Sequence, residues 1–142
     1  MGIFGYPSRR RGYAFRMQIN NLTNFKIDKK SFSQVAKKVL SGENRGRETL
    51  SLAFVKKLEI KKLNKKFRKK NSATDVLSFE GINEVVICPE VVKGYGGDFK
   101  KEILKVFVHG ILHLCGYDHE RSDRDAEVMK KKEGFYLSEL KN

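Results

Sequence analysis

Tryptophan is absent from this 142-residue chain, which has only two prolines, two cysteines and three histidines. The cysteine shortage speaks against a disulfide framework: Cys88 and Cys115 share no C-x-x-C spacing, sit among apolar neighbours and read as reduced core residues. Long apolar runs are missing too. No stretch approaches the ~18 residues of a membrane span, and no charged start followed by an apolar stretch marks a secretory signal, so a cytoplasmic protein with no membrane partner is expected. Acids are scarce, 17 Asp plus Glu against 30 Lys plus Arg. The resulting charge of +13 favours a polyanionic partner, and nucleic acid fits it better than an anionic membrane surface. What remains is enough for one domain, with 39% hydrophobic residues to fill its core.

The scarce histidines are concentrated. All three lie in His109-Gly110-Ile111-Leu112-His113-Leu114-Cys115-Gly116-Tyr117-Asp118-His119. Residues four apart on a helix stack on one face, so His109 and His113 can reach one ion. Gly116 can take the left-handed conformation that ends the helix and turns His119 back to the same point. Three neutral imidazoles with a fourth position open to water is the arrangement of catalytic zinc, so one Zn2+ per chain is expected at His109, His113 and His119. The spacing matches the ligand pattern of the H-E-x-x-H-x-x-G-x-x-H metallopeptidases. Gly110, however, stands where those enzymes carry their general-base glutamate.

The same block is similar to the HGxLHLxGYDH signature of the YbeY family, metal-dependent endoribonucleases of ribosomal RNA maturation. Asn64-Lys65-Lys66-Phe67-Arg68 and Thr74-Asp75-Val76-Leu77-Ser78-Phe79 resemble that family's Asn-x-x-Tyr/Phe-Arg and TDVLSF segments, and the likeness runs from about Leu50 to Leu140. The resemblance implies a domain over 17–142 that cuts single-stranded ribosomal RNA, including the 3′ end of 16S RNA, and serves ribosome quality control. It also implies the small ribosomal subunit and its assembly factors as partners, and nominates Arg68 as the catalytic arginine. Two positions depart from the family: Glu80 stands where many members have proline, and Asn83-Glu84 replaces a Gly-Asp pair.

Along the chain, residues 1–16 form a basic N-terminal extension with Arg9, Arg10, Arg11 and Arg16 and no acid. An RNA-touching arm, a targeting remnant and an extension foreign to the domain all fit it, and Met17 is an alternative start. Gln18 to Phe25 predicts a first strand. Phe32, Val35, Ala36, Val39 and Leu40 repeat at helical spacing between a cap at Asp28 or Ser31 and a stop at Gly42. Leu50, Leu52 and Phe54 alternate as a strand with one face on the core. A helix follows from Lys57 to Phe67.

Lys56 to Lys70 holds nine basic residues in fifteen, with Glu59 its single acid. Lys62, Lys65, Lys66 and Lys69 are therefore the expected contacts to the RNA backbone, against the plainer reading of a solvated face. Val76–Phe79 and Val85–Cys88 predict two buried strands around a short turn, with Pro89 closing the second. Phe99 to Cys115 predicts a nearly buried helix whose polar stripe is Glu102, Lys105, His109 and His113. A last helix, capped near Ser122 and Asp125, runs to about Leu140 with Met129 and Leu137 in the core. The fold expected is α+β, one small mixed sheet of about four strands with several helices.

Zinc would acidify a water and polarise a phosphoryl oxygen, which suits phosphodiester cleavage. A guanidinium would stabilise the charge that develops, the role given to Arg68. Asp75 and Asp118 are candidates for orienting a ligand histidine or for plain structural roles. Two other functions remain: a metallopeptidase, with Asp118 or Glu120 conscripted as base, and a non-catalytic RNA- or ribosome-binding protein with structural zinc.

Overall fold

A computed structural model describes residues 15–140. Among them, four strands form one mixed sheet in the order β1-β2-β4-β3, with β1, β2 and β4 parallel and β3 antiparallel to β4. Five helices accompany it, so the architecture is the α+β one expected. Of the basic extension, residues 1–14 lie outside the described residues, and Arg16 opens β1.

β1 (Arg16–Asn21) begins two residues before the stretch expected and stops four short of its end. Side chains stop it. Asn21 Oδ1 accepts the Thr23 amide at 3.0 Å and its hydroxyl at 2.7 Å, while Asn21 Nδ2 donates to the Phe25 carbonyl at 2.8 Å. These local bonds replace the ladder bonds a longer strand would need. Helix α1 (Lys29–Gly42) is capped by Asp28, which accepts the Ser31 amide, and buries the five apolar residues predicted.

β2 (Thr49–Phe54) is buried along its whole length, not on one face. Leu50, Leu52 and Phe54 join the main core with α1. The opposite face, carrying Ala53, is covered by Ile60 and Leu63 of α2 (Lys57–Arg68). Alternation with small residues looks half-exposed in sequence, although here the small residues mark where a helix lies close.

β3 (Val76–Phe79), a single 3-10 turn at Glu80–Ile82 and β4 (Glu84–Ile87) make the expected hairpin. Pro89 does more than close it. Proline already lacks the amide that a helix start leaves unpaired, and Pro89 opens the short helix α3 (Pro89–Lys93), which its sequence does not announce. α4 (Phe99–Leu114), capped by Asp98, buries eight of its sixteen residues and packs on β3, β4, α1 and α5 (Asp123–Glu139). Ser122 caps α5 through the Asp125 amide, and Met129 and Tyr136 enter the core while Leu137 packs partly against it.

Candidate metal centre and cleft

The polar stripe of α4 forms one wall of a cleft of about 680 Å³, with Glu102, Lys105, His109 and His113 all lining it. Asn64 and Arg68 of α2, Lys70, the run Thr74 to Ser78 and Tyr95 line it too, as do Val106 of α4 and Asp118, His119, Glu120 and Glu133. Gly116 has φ +99, a conformation that side chains resist, and there the chain doubles back as its position in the histidine block predicts.

The three imidazoles meet. Ring centroids lie 4.9 Å apart for His109 and His119, and 6.1 Å apart both for His109 and His113 and for His113 and His119. Donor atoms of His113, Asp118 and His119 fall within 4.8 Å of one another, a set that could hold a metal ion. His109 stands beside this set, its ring 4.9 Å from that of His119, and its Nδ1 is 2.6 Å from Glu133 Oε1. That contact favours the tautomer with the proton on Nδ1 and leaves Nε2 for a metal, the usual carboxylate–histidine arrangement behind a ligand. Burial and the neighbouring His109 push the His113 imidazole down, which favours the neutral form a ligand needs. The donor set therefore fits a divalent ion such as zinc.

The loop after α4 is tied down from two sides. Arg45 Nη1 donates to the Leu114 carbonyl at the end of α4 at 2.6 Å while its other nitrogens grip Glu48 at 2.6 and 2.8 Å. Glu43 accepts from Tyr117 at 2.7 Å, from Lys132 at 3.2 Å and from the Tyr136 hydroxyl, joining α1, the histidine loop and α5. Burial alone would raise the Glu43 carboxyl, but these three donors outweigh it and hold it below the usual range.

Arg68 lines the same cleft as the histidines. Its Nη2 donates to the Ser78 carbonyl and its guanidinium lies 5.3 Å from the Phe79 ring centre. Ser78 in turn donates its hydroxyl to the Gly110 carbonyl at 2.8 Å, so one serine joins the arginine to the turn of α4 that carries His109. A Cβ at Gly110 would lie 3.0 Å from Val85 Cγ1 and 3.1 Å from Val76 Cγ2. Position 110 thus faces the sheet, and a glutamate there would enter the core instead of serving as a base.

Of the lysines expected to touch RNA, Lys62, Lys65, Lys66 and Lys69 are all exposed, but none lines the cleft; Lys70 and Lys105 do. Among the described residues Asp75 bonds Thr74 and Tyr95 rather than a histidine, its Oδ2 accepting the Tyr95 hydroxyl at 3.0 Å. Asp118 accepts the Glu120 amide at 2.8 Å and belongs to the metal-compatible set. Sequence reasoning missed Glu133 and the linking role of Ser78. Glu133 had a faint signal as the acid directly after Lys130, Lys131 and Lys132; Ser78 lay within the TDVLSF segment, whose resemblance gave it no role of its own.

Known proteins resemble this chain over most of its length. A family model described as Endoribonuclease YbeY matches residues 18–141. A protein of that name from Thermotoga neapolitana is 40% identical over 121 residues, covering 80% of each chain. Another from Bdellovibrio bacteriovorus is 46% identical over 102 residues, 66% of this chain and 67% of that one. A solution structure from Thermotoga maritima superposes with a TM-score of 0.61 at 30% identity, covering 89% of this chain and 88% of the other.

Proposed function

The chain belongs to the endoribonuclease YbeY family, and from that premise we propose that it is a zinc-dependent endoribonuclease of single-stranded RNA. Its substrate in this reading is ribosomal RNA, including the 3′ end of 16S RNA, and its setting is the small ribosomal subunit and its quality control in the cytoplasm. Among the described residues no helix is long and apolar enough to cross a membrane.

The observation that carries the reading is a metal-compatible histidine cluster and Arg68 in one cleft. His109, His113 and His119 would hold the ion, with Glu133 fixing His109 and Asp118 anchoring the loop that brings His119. A bound divalent ion supplies Lewis acidity at a phosphoryl oxygen and acidifies a water. The protein's own groups do the rest. The Ser78 carbonyl orients the Arg68 guanidinium by one of its donors, and the remaining donors would grip phosphate oxygens, an interaction that strengthens as charge builds in the transition state. Lys70 and Lys105 offer further positive charge to the strand, while Asp118 in the metal-compatible set and Glu133 on His109 suit a cation.

The test is to incubate zinc-loaded protein with labelled single-stranded RNA, with the matching duplex, and with casein. Cleavage of the single strand that disappears in the triple His→Ala protein, together with its zinc, is the expected result. Cleavage of casein instead would establish a peptidase, and RNA bound but left intact would establish a non-catalytic binding protein.

A further inference from the structure

Tyr95 is the one Phe or Tyr side chain among the described residues that lines the cleft, and it is 57% exposed. An exposed aromatic ring is usually free to wander, but this one is tethered: its hydroxyl donates to Asp75 Oδ2 at 3.0 Å. The backbone around it is open. Gly96 and Gly97, with φ of +79 and +73, follow it and carry no side chain that could cover the ring. Partial burial of the hydroxyl and the Asp75 charge push the phenol up to about 12, which keeps the ring neutral beside a polyanion.

We propose that Tyr95 is a substrate-positioning residue that stacks on the face of one unpaired base and so contributes to the choice of single strands over duplex. The inference rests on the RNA reading above and names how that cleft would recognise its substrate. Every base has an aromatic face, so such a platform tolerates any sequence, and a base inside a duplex has both faces already covered.

Tyr95 belongs neither to the metal-compatible set nor to the contacts of Arg68, so losing the stack should weaken binding without slowing chemistry.

The experiment uses zinc-loaded wild type, Tyr95→Ala and Tyr95→Phe with one single-stranded RNA and a set in which a single nucleotide lacks its base, scanned along the strand. Single-turnover rates over a range of enzyme concentration separate half-saturation from maximal rate. In wild type, one abasic position away from the cut should raise half-saturation by about tenfold, and Tyr95→Ala should do the same to the intact RNA with maximal rate within about twofold. Tyr95→Ala should also no longer respond to that abasic position, a coupling that a merely structural residue would not show. Tyr95→Phe, which keeps the ring but loses its tether to Asp75, should fall between wild type and Tyr95→Ala in half-saturation and still respond to the abasic position, and zinc content should match in all three. Equal half-saturation for wild type and Tyr95→Ala, or an abasic penalty that survives in Tyr95→Ala, would overturn the stacking role while leaving RNA cleavage intact. A wild type that neither binds nor cleaves RNA would sink the RNA reading and this inference with it.

Discussion

Gly110→Ala tests whether α4 touches the sheet as closely as the structure says. The added methyl would sit 3.0 Å from Val85 Cγ1, 3.1 Å from Val76 Cγ2 and 3.3 Å from Ser78 Oγ, and the Val85 and Ser78 side chains are buried. Crowding a packed core in this way costs about 1–3 kcal/mol. Alanine is the better helix former in a helix interior, which returns about 0.8–1 kcal/mol. The difference is a net destabilisation of roughly 0–2 kcal/mol, and about 1 kcal/mol would lower the melting temperature by about 3–4 °C in a chain of this size. Because the sign rests on a small difference, the decisive assay is a double-mutant cycle in urea. Val85→Ala opens room where the methyl points, so the double variant should be more stable than the sum of the two single effects by about 1 kcal/mol. A Gly110→Ala protein more stable than wild type, with no coupling to Val85→Ala, would refute the close contact. Gly110→Glu extends the same reasoning: it should destabilise the fold severely by burying a carboxylate against two valines, and yield no peptidase.

Glu133→Ala should leave the His109 ring without its partner and weaken zinc binding by about 10- to 100-fold, read by competition with a chelator; unchanged affinity would remove Glu133 from the site. Arg68→Ala should retain zinc and fold while lowering single-turnover cleavage at saturating enzyme by about 10² or more. Arg68→Lys should restore only part, since a point charge lacks the planar fork, and a wild-type rate at saturation would make Arg68 a binding residue only. Replacing Lys62, Lys65 and Lys66 with glutamine should flatten the dependence of log K on log salt for single-stranded RNA, by about 0.7 for each phosphate that is no longer neutralised. An unchanged slope would confine RNA to the cleft lined by Lys70 and Lys105.

Features written in short spacings were legible. The +4 and +10 histidine positions, the glycine between them and the apolar run around α4 depend on helix geometry alone, and the structure brings the three rings together. β2 was harder because Ser51 and Ala53 look like a polar or neutral face; only the presence of α2 shows that face to be interior. α3 has five residues, too few to display a period. Charge density singled out lysines of α2, but density does not say which side of a helix meets the cleft. Glu133 depends on where α5 docks, 24 residues from His109, and no local pattern carries that information.

The docking of α5 also sets an order of assembly. The clasp of Lys132 and Tyr136 on Glu43 and the contact of Glu133 with His109 all belong to the last helix described. Until α5 is in place His109 has no carboxylate behind it, whereas the lysines of α2 carry their charge in any conformation. A growing chain can therefore be attracted to RNA before its metal site is complete. Chains ending at Lys131 are accordingly expected to bind zinc more weakly than the full chain, and zinc binding as tight as that of the full chain would refute this order of assembly.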